Sequence, residues 1–201
     1  MDGIDGLSAG LGIIASLAFG VWFYLVQDYD WAILAVGLAG SLFSFGFFNV
    51  FGNKNKIFMG DTGSLSLGFL IALISIHFNE ENITPGSVYF IRAAPAVSIG
   101  ILLVPIFDTI RVLLTRLVNR ASPFLPDKTH IHHYLLELGF SHIRATLILT
   151  GVGLFFIIFS FLLKDRSVLL VLILLLSLGG LGSFFTIFCV YKKEKNHSKS
   201  I

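Results

Sequence analysis

The sequence predicts an all-α integral membrane protein with about six transmembrane helices and both termini in the cytoplasm. Three observations carry that expectation. Of 201 residues, 55% are hydrophobic and only 13% charged, against about a quarter charged in soluble domains. The mean hydropathy is +0.87. The apolar residues gather into six runs, each near the roughly 20 residues that cross a bilayer. This composition excludes a disordered chain, a basic nucleic-acid-binding domain and an ordinary soluble enzyme. No run alternates with a period of two between turn residues, which argues against a β-barrel.

The runs cover residues 7–26, 31–51, 63–78, 93–118, 143–163 and 168–191. The first carries no charge and ends at the polar turn 27–30. It has no basic leading segment, so it reads as a membrane span rather than a cleavable signal peptide. The second ends at Gly52, before Lys54 and Lys56. The third is short and follows a glycine-flanked loop. The fourth starts apolar and ends amphipathic at Arg111 and Arg116, with Pro105 expected to kink it. The fifth and sixth are joined by the turn 164–167. Residues 1–191 form one membrane domain, and 192–201 a polar tail expected to fray near lipid headgroups. The single cysteine, Cys189, can form no internal disulfide.

The chain has 14 basic and 12 acidic residues. Eleven of the 14 basic residues fall in one set of alternating loops; Arg92, Lys164 and Arg166 fall in the other. Basic loops mark the cytoplasmic side, so the longer polar loops are expected there.

Four polar clusters lie on that side. Asp2 and Asp5 sit three apart, so on a helix they share a face, kept open to close approach by Gly3 and Gly6; the competing reading is acids favoured at the start of the first helix. Asp61 and Thr62 lie between Gly60 and Gly63, just ahead of a span. Backbone N–H groups at a helix start favour anions, and a carboxylate there can hold Mg²⁺ against phosphate; the competing reading is a helix cap. The Asp-Thr-Gly-Ser string also occurs in aspartic proteases, which need two such loops on a β scaffold. Asp108 interrupts an apolar run, and an intramembrane acid is functional by default, unless it simply pairs with Arg111 one turn later. His130, His132 and His133 follow a loop shaped by Pro123 and Pro126. Their spacing lacks the i, i+4 pair of helical zinc sites, which leaves phosphate hydrogen bonding, proton transfer or an idle solvated loop. Together the clusters suit a polyanionic substrate handled with a divalent metal, the inventory phosphoryl transfer requires.

These strings resemble the polyprenyl-phosphate N-acetylhexosamine-1-phosphate transferases. Met1-Asp-Gly-Ile-Asp-Gly-Leu is similar to one family motif. Ile57-Phe-Met-Gly-Asp-Thr-Gly-Ser-Leu65 is similar to another, and Pro105-Ile-Phe-Asp108 and His130-Ile-His-His133 to the later loops. The resemblance implies transfer of a sugar-1-phosphate, GlcNAc-1-phosphate by the form of the histidine loop, from a UDP-N-acetylhexosamine to polyprenyl phosphate. The reaction would occur at the inner face of the plasma membrane and release UMP. It implies Mg²⁺, or Mn²⁺, on Asp61, and catalytic roles for Asp61, His130, His132 and His133. Asp2, Asp5, Lys56, Phe58 and Asp108 would bind substrate, while Arg111, Arg116 and Arg120 would touch headgroups or loops. Family members have ten or eleven spans. The resemblance therefore implies a partner in an N-terminal half with an Asp-Asp pair, without which these 201 residues are expected to insert but not to turn over. The competing expectation is a non-enzymatic paralogue.

Overall fold

The computed structural model describes residues 4–52, 55–86, 88–118 and 130–197. Asp2, Arg120 and the loop prolines lie outside them. All regular structure among these residues is helical: α1 (Leu7–Leu25), α2 (Tyr29–Phe51), α3 (Gly60–Glu81), α4 (Ala94–Ile101), α5 (Leu103–Val118), α6 (Ile131–Glu137), α7 (His142–Leu162) and α8 (Val168–His197). Five are long and apolar enough to cross a membrane, six if α4 and α5 count as one broken span.

Helix α1 is central. Its Leu7 and Leu11 pack with α4, α5, α6, α7 and α8 around Leu103, Leu149 and Leu175. Farther along, Phe19, Trp22 and Phe23 pack with α2, α3 and α4 around Phe78, Ile91 and Val97. Trp22 meets Phe78 edge-on at 4.6 Å between centroids and donates its indole N–H to the Tyr89 carbonyl. The outward faces of α2, α3 and α8 keep large side chains such as Phe43, Phe69 and Leu169 exposed, as lipid-facing surfaces do, since lipid tails leave apolar side chains at no disadvantage.

Two elements depart from the sequence reading. The third span is not short: α3 runs 22 residues because it takes in Gly60, Asp61 and Thr62 at its start and continues through Asn79, Glu80 and Glu81 at its end. The fourth breaks at Leu102, where its halves bend by 77°. Proline lacks an N–H and its ring clashes with the carbonyl four residues back. For Pro105 that carbonyl belongs to Ile101, so the break falls upstream of the proline, and Pro105 itself sits in the tolerant first turn of α5. Helix α8 continues through Lys192 to His197.

Contacts sort the helix ends into two groups. At one end, Lys56 bonds Asp5, Thr146 donates to the Asp5 carbonyl and Lys193 donates to the Glu137 carbonyl at 2.6 Å. At the other end, Asp28 meets His77 and the Ala93 N–H bonds the Lys164 carbonyl.

Candidate functional site

The first group of helix ends carries the described sequence-predicted residues. Gly6 precedes α1 with φ +78°, a left-handed conformation open to glycine. A Cβ there would also sit 2.8 Å from Val50. The Asp5 carboxylate takes a 2.7 Å bond from Lys56, and Lys56 lies 5.6 Å over the Phe58 ring. Asp5, Lys56 and Phe58 thus form one surface, although 51 residues separate the first two.

A residue the sequence reading did not single out holds this surface together. Asn49, near the end of α2, is 3% exposed. Its Oδ1 accepts the Gly6 N–H at 2.7 Å and its Nδ2 donates to the Ile57 carbonyl at 2.8 Å. One amide therefore links the first polar cluster to the second. The signal was available: Asn49 is the one amide in the run 31–51, and buried amides keep partners.

Asp61 stands in the first turn of α3, preceded by Gly60 at φ +65°. The cap position is Met59, with no side-chain capping bond, so neither Asp61 nor Thr62 is the cap. Asp61 is exposed, and no bond to it exists among the described residues. An uncommitted carboxylate at a helix start fits Mg²⁺, which takes one or two carboxylates and fills its remaining positions with water and phosphate oxygens. An apolar groove of about 390 Å³ is lined by Ser8 on α1, by Met59 and Ser64 on either side of Asp61 in the sequence, and by Pro105 and Ile106 on α5.

Three residues beyond Pro105, Asp108 is 2% exposed and fully engaged. It accepts from Arg111 Nη2 at 2.9 Å and from the Ile131 N–H at 3.0 Å, and its Oδ2 lies 2.8 Å from His130 Nδ1. The Arg111 pairing anticipated as the structural alternative is present, and Arg111 also lies over the Tyr134 ring. Asp108 therefore faces protein partners, among them the Nδ1 of His130. His132 is 2% exposed, stacked on His130 and tilted by 41° against His133, and neither ring nitrogen has a hydrogen-bond partner. Burial, then the neighbouring His133 and His130, push its pKa down to about 4. Its imidazole is therefore held in the neutral form between the rings of His130 and His133.

Residues 1–79 match the model of glycosyl transferase family 4. The chain is 35% identical over 175 residues to a protein of Bacillus subtilis named probable undecaprenyl-phosphate N-acetylglucosaminyl 1-phosphate transferase, with 87% of this chain and 46% of the relative covered. It is 35% identical over 161 residues to a decaprenyl-phosphate N-acetylglucosaminephosphotransferase of Mycolicibacterium smegmatis, covering 74% of this chain and 39% of the relative. It is 30% identical over 152 residues to an undecaprenyl-phosphate alpha-N-acetylglucosaminyl 1-phosphate transferase of Escherichia coli K12, covering 75% and 40%. The chain thus spans less than half the length of these relatives. No solved structure matches it.

Proposed function

By its residues 1–79 the chain belongs to glycosyl transferase family 4, and on that premise we propose that it transfers GlcNAc-1-phosphate from UDP-GlcNAc to a polyprenyl phosphate. The observation that carries this reading is the uncommitted Asp61 carboxylate at the start of α3, whose chain neighbours Met59 and Ser64 line the apolar groove. That pairing suits a lipid whose isoprenoid tail needs an apolar channel and whose phosphate needs charge compensation.

A phosphate oxygen of the lipid attacks the β-phosphorus of the nucleotide sugar. The bond from that phosphorus to the bridging oxygen breaks, and UMP leaves with the bridging oxygen. Charge is conserved, so the step needs positioning and electrostatic stabilisation rather than a net proton transfer. Asp61 would hold Mg²⁺, which would supply charge neutralisation. Lys56 and Phe58 offer a cation and an exposed ring beside it. His130, oriented by Asp108, and His133 donate to phosphate oxygens. The eleven-to-three split of basic residues supports a cytoplasmic active face in the plasma membrane.

The test supplies UDP-GlcNAc, polyprenyl phosphate and Mg²⁺ to membranes containing the chain, with and without the amino-terminal half of the Bacillus subtilis relative. A lipid-linked diphospho-sugar that disappears with Asp61→Asn supports the reading. No product in either membrane overturns it.

A further inference from the structure

At the end of the bundle opposite Asp61, we propose a binding site for a divalent transition-metal cation of the zinc type, formed by Asp28, His77 and Glu81. Asp28 lies in the link between α1 and α2. His77 and Glu81 are one turn apart near the end of α3, so they share a face. Sixteen residues separate Asp61 from His77, about 24 Å along the helix, so this site is distinct from the phosphate-handling end.

One ligand atom from each side chain converges, all within 4.8 Å of one another. His77 Nε2 is 2.7 Å from Asp28 Oδ2 and 3.9 Å from Glu81 Oε1. Zinc bonds of roughly 2.0–2.2 Å in a tetrahedron set ligand atoms about 3.3 Å apart, and the two separations bracket that value. An imidazole–carboxylate hydrogen bond alone explains the shorter contact. It does not explain Glu81, which is too far from Nε2 to bond it yet is turned toward it.

The ring is held ready. His77 stacks on Trp31 at 4.2 Å and 15° and lies 5.5 Å from Phe23. Asp28 uses Oδ1 on the Trp31 N–H, which leaves Oδ2 directed at His77. Such orienting contacts are what surround first-sphere metal ligands. The local charge also calls for a cation: among the described residues no lysine or arginine bonds Asp28, Glu80 or Glu81, and His77 alone lies within ion-pair distance of all three. His77 and Asp28 are only 20% and 23% exposed, while Glu81 opens to the outside, leaving a fourth position for water. An imidazole among two carboxylates favours Zn²⁺ or its first-row neighbours over Mg²⁺ and Ca²⁺, which take oxygen ligands.

Both tryptophans, Trp22 and Trp31, lie at this end, so their fluorescence reads this site and not the histidine triplet. The untagged chain in detergent is titrated with Co²⁺ as a quenching probe, then with Zn²⁺ and Mg²⁺ as competitors. Saturable quenching at one ion per chain, relieved by Zn²⁺ and not by equal Mg²⁺, is expected. Glu81→Gln, which changes a half-exposed side chain and leaves the fold intact, should raise the half-saturation concentration at least tenfold, and His77→Gln should abolish saturation. Glu80→Gln should shift it less than twofold. Unsaturable quenching, or equal titrations for Glu81→Gln and the parent chain, would overturn the site.

Discussion

The carboxylate of Asp108 accepts the backbone N–H of Ile131 at 3.0 Å, so an acid buried on α5 caps the start of α6 across 23 residues. The first N–H groups of a helix have no partner of their own, and a seven-residue helix is too short to persist alone. Asp108 is thus a positioning residue for the histidine triplet. Asp108→Ala leaves Arg111 without its buried counter-charge and is expected to destabilise the chain by about 3 kcal/mol. Amide exchange across residues 131–137 should accelerate more than elsewhere. Unchanged exchange there would show that α6 stands without the cap.

Asn49 provides a second test. Asn49→Ala strands the Gly6 N–H and the Ile57 carbonyl, each at a cost of about 1–3 kcal/mol when buried. Thermal unfolding should shift down accordingly. Asn49→Asp keeps the acceptor for Gly6 but loses the donor to Ile57, so it should not restore the parent value. Recovery of full stability by aspartate would mean the Ile57 bond contributes nothing.

The neutral His132 makes stability depend on pH. Its ordinary pKa of 6.5 falls to about 4 in the folded chain. Between those values the unfolded chain holds a proton that the folded chain does not, so stability rises with pH across that window. This contribution is fully present above 6.5 and lost as pH falls toward 4. Melting temperatures measured from pH 7 to pH 4.5 should decline less steeply for His132→Phe than for the parent chain; parallel declines would assign the effect to other groups.

Asp61 should behave in the opposite way to Asp108. Its exposed carboxylate bonds no described residue, so Asp61→Asn is expected to change stability by less than about 0.5 kcal/mol. Transfer in the membrane assay should fall by roughly a thousandfold or more, the scale of several kcal/mol of lost charge stabilisation. Near-normal product formation by the variant would reduce Asp61 to a helix-start acid.

Topology can be read by labelling. With Cys189→Ala as background, single cysteines at Asn55 and Ser141 should react only from the cytoplasmic side, and one at Val88, which is 94% exposed, only from the other. Reaction of position 141 from outside would put the histidines on the wrong face for a cytoplasmic nucleotide sugar.

The spans were legible because lipid leaves few places for charge, so runs of apolar residues declare themselves. The helix start near Asp61 was legible from its glycines only to within a turn: the sequence suggested a span from residue 63 with Asp61 or Thr62 as its cap, and α3 starts at Gly60 behind Met59. The break at Leu102 was half legible: Pro105 is visible, but its steric effect acts on the carbonyl of Ile101, one turn earlier. The pairings were not legible. Nothing in the local pattern near Asp5 names Lys56 or Thr146 as its partner, and a lone Asp108 does not disclose that it caps Ile131. Such contacts are chosen by how α1, α2, α5 and α7 pack, and apolar helices give few periodic faces from which to deduce that packing.

The bond from Lys193 to the Glu137 carbonyl has a consequence for depth. From Val168 to Lys193, α8 runs 26 residues, about 39 Å at 1.5 Å per residue. The hydrocarbon layer is about 30 Å thick. With Val168 at one boundary, Lys193 stands about 9 Å past the other, at the level of the lipid headgroups. An upright α8 would therefore act as a ruler: through the Lys193 bond it would hold the Glu137 end of α6 at the level of the headgroups rather than within the hydrocarbon layer.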